Sequence, residues 1–441
     1  LKKFRTILSH GATDKYQDNI QQQIILLLTR LIRYVTNIQG DIIYILVDVL
    51  PHDYITELTN TQQEVVMKLA VYLAYNNQNT QDIKKYIMNK LQKLLPNNEK
   101  EPLTNIHIDI INRLIESTEY IKSPELLLEI INILKSLLPN NLTVKFNNIQ
   151  IKIIRQLIRI VTYKKIQTLE IQLQIVHILN TLLPKNPIQE LTDIQKEIID
   201  ALIKSTNHIT IPGSLLEIIN ILNNLLPSDP AVELNDMQIK IIRRLMEIIT
   251  YQGKQESTIQ LTIVDILNKL LPIDYTHELT GIHIDIISKL IESTNYIEAK
   301  WSLLDIINIF DKLLPSDPAV GLNDIQIKII YQLIKTTKYT TTTPDIHNKI
   351  MSILGNILNI FLSPNAILNH THMVTIDKLM DIIHFEDMSE NVLQMLINIF
   401  KNLLQSNSTA EFNKIKMIQK CITFLSYKNI HQGILISEYI N

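Results

Sequence analysis

Few residues of this sequence have the types and spacing needed to make or break bonds. The nearest approach to a metal or acid–base cluster is His370-Thr-His372, and two imidazoles one residue apart fall short of the three or four ligands that a protein metal site uses. No nucleophile elbow, phosphate-cradling glycine loop, His-Glu-x-x-His pattern or paired-cysteine spacing occurs. The single cysteine, Cys421, lies in an apolar-periodic stretch and reads as a small core residue. The sequence therefore predicts neither an enzyme nor a cofactor or metal site.

Recognition chemistry is better supplied. One polar position recurs as Asn89, Asn132, His177, Asn220, Asp265 and Asn308, each seven residues before the proline of a Leu-Leu-Pro, with Asn398 and Asn356 in weaker copies. Helical spacing sets it beside Glu129, Gln174, Glu217, Thr262 and Asp305 three residues earlier, and beside Lys135, Asn180, Asn223, Asn268 and Asp311 three later. An asparagine amide donates to a carbonyl and accepts from an N–H at once, which suits the main chain of an extended peptide. Among these residues Glu129, Glu217, Asp265, Asp305 and Asp311 stand against Lys135 alone, so the row should prefer basic partners.

The elements that must carry this row are helices in a repeat. Leu-Leu-Pro closes a helical pattern at Pro96, Pro139, Pro184, Pro227, Pro272 and Pro315, with Leu50-Pro51 beginning the series. The intervals run 45, 43, 45, 43, 45 and 43 residues, so the unit of duplication is an 88-residue doublet. Pro227-Ser-Asp-Pro-Ala-Val-Glu-Leu-Asn-Asp returns 88 residues later as Pro315-Ser-Asp-Pro-Ala-Val-Gly-Leu-Asn-Asp. Weaker copies end near Pro364 and Gln405. Each repeat holds two helices. The first starts at Leu191-Thr192-Asp193-Ile194-Gln195, Leu234-Asn235-Asp236-Met237-Gln238 or Leu322-Asn323-Asp324-Ile325-Gln326, where Thr or Asn is the N-cap and Gln reaches back to it in a capping box. His107 and His283 occupy the Gln position and are read as caps rather than as metal ligands. The second helix, such as Glu125-Leu-Leu-Leu-Glu129-Ile-Ile-Asn132, carries a wide apolar stripe that one pair cannot bury alone and stacked pairs can. The expected fold is all-α: a solenoid superhelix of about ten two-helix repeats, forming one domain over residues 1–441.

In repeat length, two-helix content and proline-marked boundary, the chain resembles the HEAT and armadillo family of α-solenoids. That resemblance implies a concave surface lined by the second helices, and an asparagine ladder there that holds extended peptides.

Composition narrows the rest. Lys plus Arg (42) nearly balance Asp plus Glu (44), a formal charge of −2, so no global field draws the protein to nucleic acid or anionic lipid. On the first helices, Lys152, Arg155 and Arg159 or Lys240, Arg243 and Arg244 alternate with Asp109 and Glu116, Glu197 and Asp200, or Asp285 and Glu292. Helices stacked ~8–10 Å apart would let these rows pair, and the acidic rows interrupt any continuous basic patch. No apolar run is long enough to span a membrane and no signal-type stretch opens the chain, so a cytoplasmic protein is expected. The sequons at Asn141, Asn369 and Asn407 are what chance gives in an Asn-rich chain. Both ends fall within a repeat, from which a piece of a longer protein is expected. The expected function is a scaffold or adaptor that binds an extended, basic polypeptide along the second helices. An RNA-binding helical-repeat protein and a structural spacer stand as alternatives.

Overall fold

The computed structural model describes residues 15–32, 39–75, 81–96, 101–139, 145–163, 168–186, 188–209, 211–251, 256–274, 276–297, 299–316, 322–337 and 343–361. These residues form sixteen helices and no strand. The pair His370 and His372, Cys421, Asn398, Pro364 and the copy ending near Gln405 lie outside them.

The chain divides into two compact units, Leu1–Leu225 and Leu226–Asn441. In the first, the odd-numbered helices α1 (Lys15–Leu31), α3 (Asn60–Tyr75), α5 (Asn105–Ser117), α7 (Asn148–Tyr163) and α9 (Asp193–Ser205) pack successively on one another as one layer. Their partners α2 (Gln39–Asp48), α4 (Gln81–Lys93), α6 (Pro124–Ser136), α8 (Leu169–Thr181) and α10 (Pro212–Asn223) form the other. In the second unit, α11 (Asp236–Ile249), α13 (Gly281–Ser293) and α15 (Asp324–Thr337) stack in one layer, and α12 (Ser257–Lys269), α14 (Lys300–Leu313) and α16 (Pro344–Phe361) in the other. Each repeat thus gives a first helix to one layer and a second helix to the other, the two-layer solenoid arrangement that the 43/45 spacing predicts.

A helix held between a partner in the opposite layer and neighbours on both sides must bury a broad face. Accordingly, two adjacent residues at the centre of nearly every helix are lost to solvent: Ile110-Ile111, Ile153-Ile154, Ile198-Ile199 and Ile241-Ile242 among first helices, and Ile130-Ile131, Ile175-Val176, Ile218-Ile219 and Ile263-Val264 among second, all at 0% exposure. β-Branched chains keep one main χ1 rotamer in a helix, so they fill this seam at low entropic cost.

The capping boxes form as read. Asn147 N–H donates to Gln150 Oε1 at 3.0 Å and Gln150 N–H to Asn147 Oδ1 at 2.9 Å. Asn235 with Gln238 and Asn323 with Gln326 repeat the exchange. His107 and His283 fill the same place, with Nδ1 accepting the N–H of Thr104 at 3.3 Å and of Thr280 at 3.2 Å. The glutamines do a second thing that spacing alone did not reveal. Their Nε2 donates to a carbonyl 13 residues back, at the close of the preceding second helix: Gln62 to Val49, Gln150 to Leu137, Gln195 to Leu182 and Gln326 to Leu313, at 3.0–3.2 Å. One amide therefore caps a helix and ties two repeats together.

This tie needs a constant reach, and the sequence supplies it. The N-caps Thr104, Asn147, Thr192, Asn235, Thr280 and Asn323 each follow their Leu-Leu-Pro proline by eight residues. The two-residue difference between 43 and 45 therefore falls beyond the cap, between the start of the first helix and the end of the second. There the short class closes α5, α9 and α13 with a Ser-Thr pair, in which buried Ser117, Ser205 and Ser293 donate to the carbonyls of Leu114, Leu202 and Leu290. The long class runs on to Tyr163 and Ile249.

Candidate functional site: the second-helix ladder

The second helices leave one face uncovered, because the apolar stripe takes up the opposite side. Asn89, Asn132, His177, Asn220 and Asp265 are exposed on it, and Asn308 is half-buried. Glu129, Gln174, Glu217, Thr262 and Asp305 sit half-buried at its flank.

Some of these side chains meet across neighbouring helices and others do not. Gln174 Nε2 on α8 donates to Asn132 Oδ1 on α6 at 2.9 Å, an amide-to-amide rung. Lys85 on α4 pairs with Glu129 on α6 at 3.1 Å. Thr262 turns its hydroxyl back to the Thr258 carbonyl at 2.8 Å. Asn89, His177, Asn220 and Glu217 form no bond to another rung among the described residues.

The acidic lean is narrower than the residue types imply. Glu129 is neutralised by Lys85, and Asp311 by Lys349 of α16 at 2.7 Å. What remains is Glu217 and the neighbours Asp265 and Asp305 on α12 and α14. Burial raises the Asp305 carboxyl above its ordinary range and the Asp265 charge raises it further, while a hydrogen bond from Asn308 pulls the other way. A cation beside these two carboxyls would relieve their repulsion.

Trp301, the one tryptophan of the chain, was missed. It stands 67% exposed in the first turn of α14, with Asp305 and Asn308 four and seven residues on, and so on the same helical face. Lys300 Nζ lies 5.7 Å from its ring centroid and bonds Asp345 at 2.6 Å. The signal was available: an unpaired aromatic at the head of an otherwise amphipathic helix.

On the first-helix layer, Arg155 and Arg159 pair with acids of neighbouring repeats, whereas Arg244 pairs with Glu247 and Glu292 with Lys289 inside their own helices. Arg155 holds Glu197 through two bonds at 2.8 and 2.9 Å. Arg159 reaches Glu119, in the turn after α5, rather than Glu116, because Glu116 is taken by Arg113 one helical turn away at 2.6 Å. Lys152 donates to Asn112 at 2.7 Å.

Perturbed titratable groups do not converge. Burial pushes the Tyr72 phenol up to about 12 and lowers Lys84, Lys90, His107 and His283, but these groups sit apart on α3, α4, α5 and α13. No group of three or more metal-ligating side chains comes together among the described residues, and no helix there is long and apolar enough to cross a membrane.

No family model matches the chain, and no curated protein matches it. Solved structures do. A crystal structure of importin beta matches at 11% identity over 98% of this chain and 67% of that one, with a TM-score of 0.35. A bidirectional nuclear transport receptor of S. cerevisiae matches at 14% identity over 96% and 46%, with a TM-score of 0.32. A structure from work on a phosphorylation switch in the interaction between cadherin and β-catenin matches at 10% identity over 97% and 99%, with a TM-score of 0.31. Within each unit the described helix pairs stack as an all-α solenoid of two-helix repeats, an architecture that resembles the HEAT and armadillo-like one.

Proposed function

We propose that the protein is a non-enzymatic scaffold or adaptor whose second-helix ladder binds an extended polypeptide with a preference for basic residues. The observation that carries this reading is the uncovered row itself: Asn89, Asn132, His177 and Asn220 in one unit, and Asp265 and Asn308 in the other, stand on the face that the core leaves free. The amides of Asn132 and Gln174 on neighbouring helices come within 2.9 Å of each other there, which supports a strand laid across two helices meeting both. A main chain needs donors and acceptors at a regular interval, and a stack of helices supplies one rung every ~8–10 Å. In a polyproline II segment, rising ~3.1 Å per residue, that is about every third residue.

Selection of binders from a displayed random-peptide library tests the reading. Extended, lysine- or arginine-rich peptides should emerge, and Asn132, Asn220 and Asn308 replaced together by Ala should weaken them without loss of helix content. Unchanged affinity would remove the ladder from the function. Salt-sensitive retention of random RNA on filters would favour the RNA-binding alternative, and a library that returns no binder would favour a spacer.

A further inference from the structure

The ladder has an apolar neighbour. Leu128, Leu173, Leu216, Leu261 and Leu304 each stand eleven residues before the proline of their Leu-Leu-Pro and four before the ladder residue, in five consecutive repeats of both lengths. Four residues carry a helix about 40° past a full turn, so each leucine lies nearer the middle of the uncovered face than the flanking residues three away, at about 60°. All five are half-buried.

The core does not call for them. In α8, for instance, it is filled by Ile175, Val176, Ile178 and Leu179, none more than 1% exposed. The neighbouring helix does not call for them either. In α4 the same register is held by Lys85, which pairs with Glu129 of α6 at 3.1 Å, so this position faces the next second helix at the residue ten before its proline. That register sets Leu128 opposite Gln174, Leu173 opposite Glu217 and, in the other unit, Leu261 opposite Asp305, all of them polar. An apolar flank kept on a polar face through five repeats, with a polar residue opposite, is open to an apolar group from outside.

Such groups must arrive at the spacing of stacked helices, ~8–10 Å. A β-strand turns successive side chains to opposite sides, so every third residue points away. An α-helix returns a side chain to one face every seven residues, ~10.5 Å, but its main-chain groups bond one another and offer nothing to the asparagines. A polyproline II segment returns to one face every three residues, ~9 Å, and leaves its main-chain groups free. Charge narrows the occupant further. Exposed Glu170 stands seven residues before His177, Glu217 lies at the flank of Asn220, and neither α8 nor α10 contains a lysine or arginine.

We propose that the segment held by the ladder is a polyproline II stretch with an apolar side chain at every third position, seated on the leucines of successive repeats within a unit, and basic residues between. This rests on the ladder reading and adds the register and residue class that the partner must carry.

The test is fluorescence anisotropy of the full chain with a labelled peptide of repeated Leu-Pro-Lys triplets, against a peptide of equal composition with its leucines clustered. The triplet peptide should bind at least about tenfold more tightly than the clustered one, and the double change Leu173→Gln and Leu216→Gln should remove most of that difference. Leu173→Met with Leu216→Met should keep it. The peptide comparison uses the parent chain, so it decides even if the glutamine pair lowers helix content. The leucine row is overturned, with the ladder left standing, if the two peptides bind equally and the alanine triple at Asn132, Asn220 and Asn308 weakens both, or if a preference for triplets survives a folded glutamine pair. If neither peptide binds, or the alanine triple leaves the triplet peptide's affinity unchanged, the ladder reading fails and this inference with it.

Discussion

The side-chain amide of Gln195 donates to the main-chain carbonyl of Leu182 at 3.1 Å while its own oxygen accepts the N–H of Thr192 at 3.0 Å, so one buried residue joins the close of α8 to the opening of α9. Three other glutamines at the same register do the same. The repeats are therefore tied by directional bonds as well as by apolar contact.

Replacing Gln195 with Ala leaves the carbonyl of buried Leu182 and the N–H of exposed Thr192 without these partners. A buried group left unpaired costs ~1–3 kcal/mol, and the loss of the tie to the Leu182 carbonyl should lower stability by about that amount. Urea unfolding followed by circular dichroism checks this, and a midpoint equal to that of the parent chain would show that the amide bonds are dispensable.

His107 and His283 stand where most repeats carry glutamine, and both are buried, at 8% and 7% exposure. Burial lowers their pKa, with Glu101 opposing this at His107. The folded chain thus holds them neutral, and the unfolded chain takes up protons first, near the free histidine value of ~6.5. Stability from these two joints is complete above that pH and is lost as pH falls through it. Changing both to Gln should flatten the fall in urea midpoint between neutral and mildly acidic solution. An unaltered pH profile would contradict the assignment.

Asp265→Asn removes the charge that faces Asp305. The Asp305 carboxyl should then titrate closer to the ordinary carboxylate range, though burial will keep it raised. Carboxyl-carbon NMR shifts across an acid titration report the change directly, and no movement would mean that the two groups do not share a field.

The repeat, the caps and the ladder were legible because each is a periodic property of single positions: Leu-Leu-Pro closes a helix, Thr or Asn with Gln or His opens one, and a polar residue at a fixed distance from proline faces away from the core. The bond from Gln150 to Leu137 was not legible, because it depends on where a turn of irregular backbone brings the chain. The pairing of Arg159 with Glu119 in the turn after α5 was hidden for a similar reason, since Arg113 holds Glu116 within its own helix. Trp301 and the leucine row could have been read, since both keep helical or repeat register. They were masked by attention to apolar stripes, in which either looks like core.

The fixed eight-residue step from proline to N-cap, set against turns of two lengths on the other side of the first helix, makes the two edges of this array unequal in their tolerance of change. An added or lost residue on the proline side would pull a glutamine off its carbonyl. On the opposite side it alters only how far one helix runs before the chain turns back. Growth and loss of length across generations should therefore accumulate at the turns that follow the first helices, and whole copies should be gained or shed as doublets, because only a doublet preserves both turn types in order.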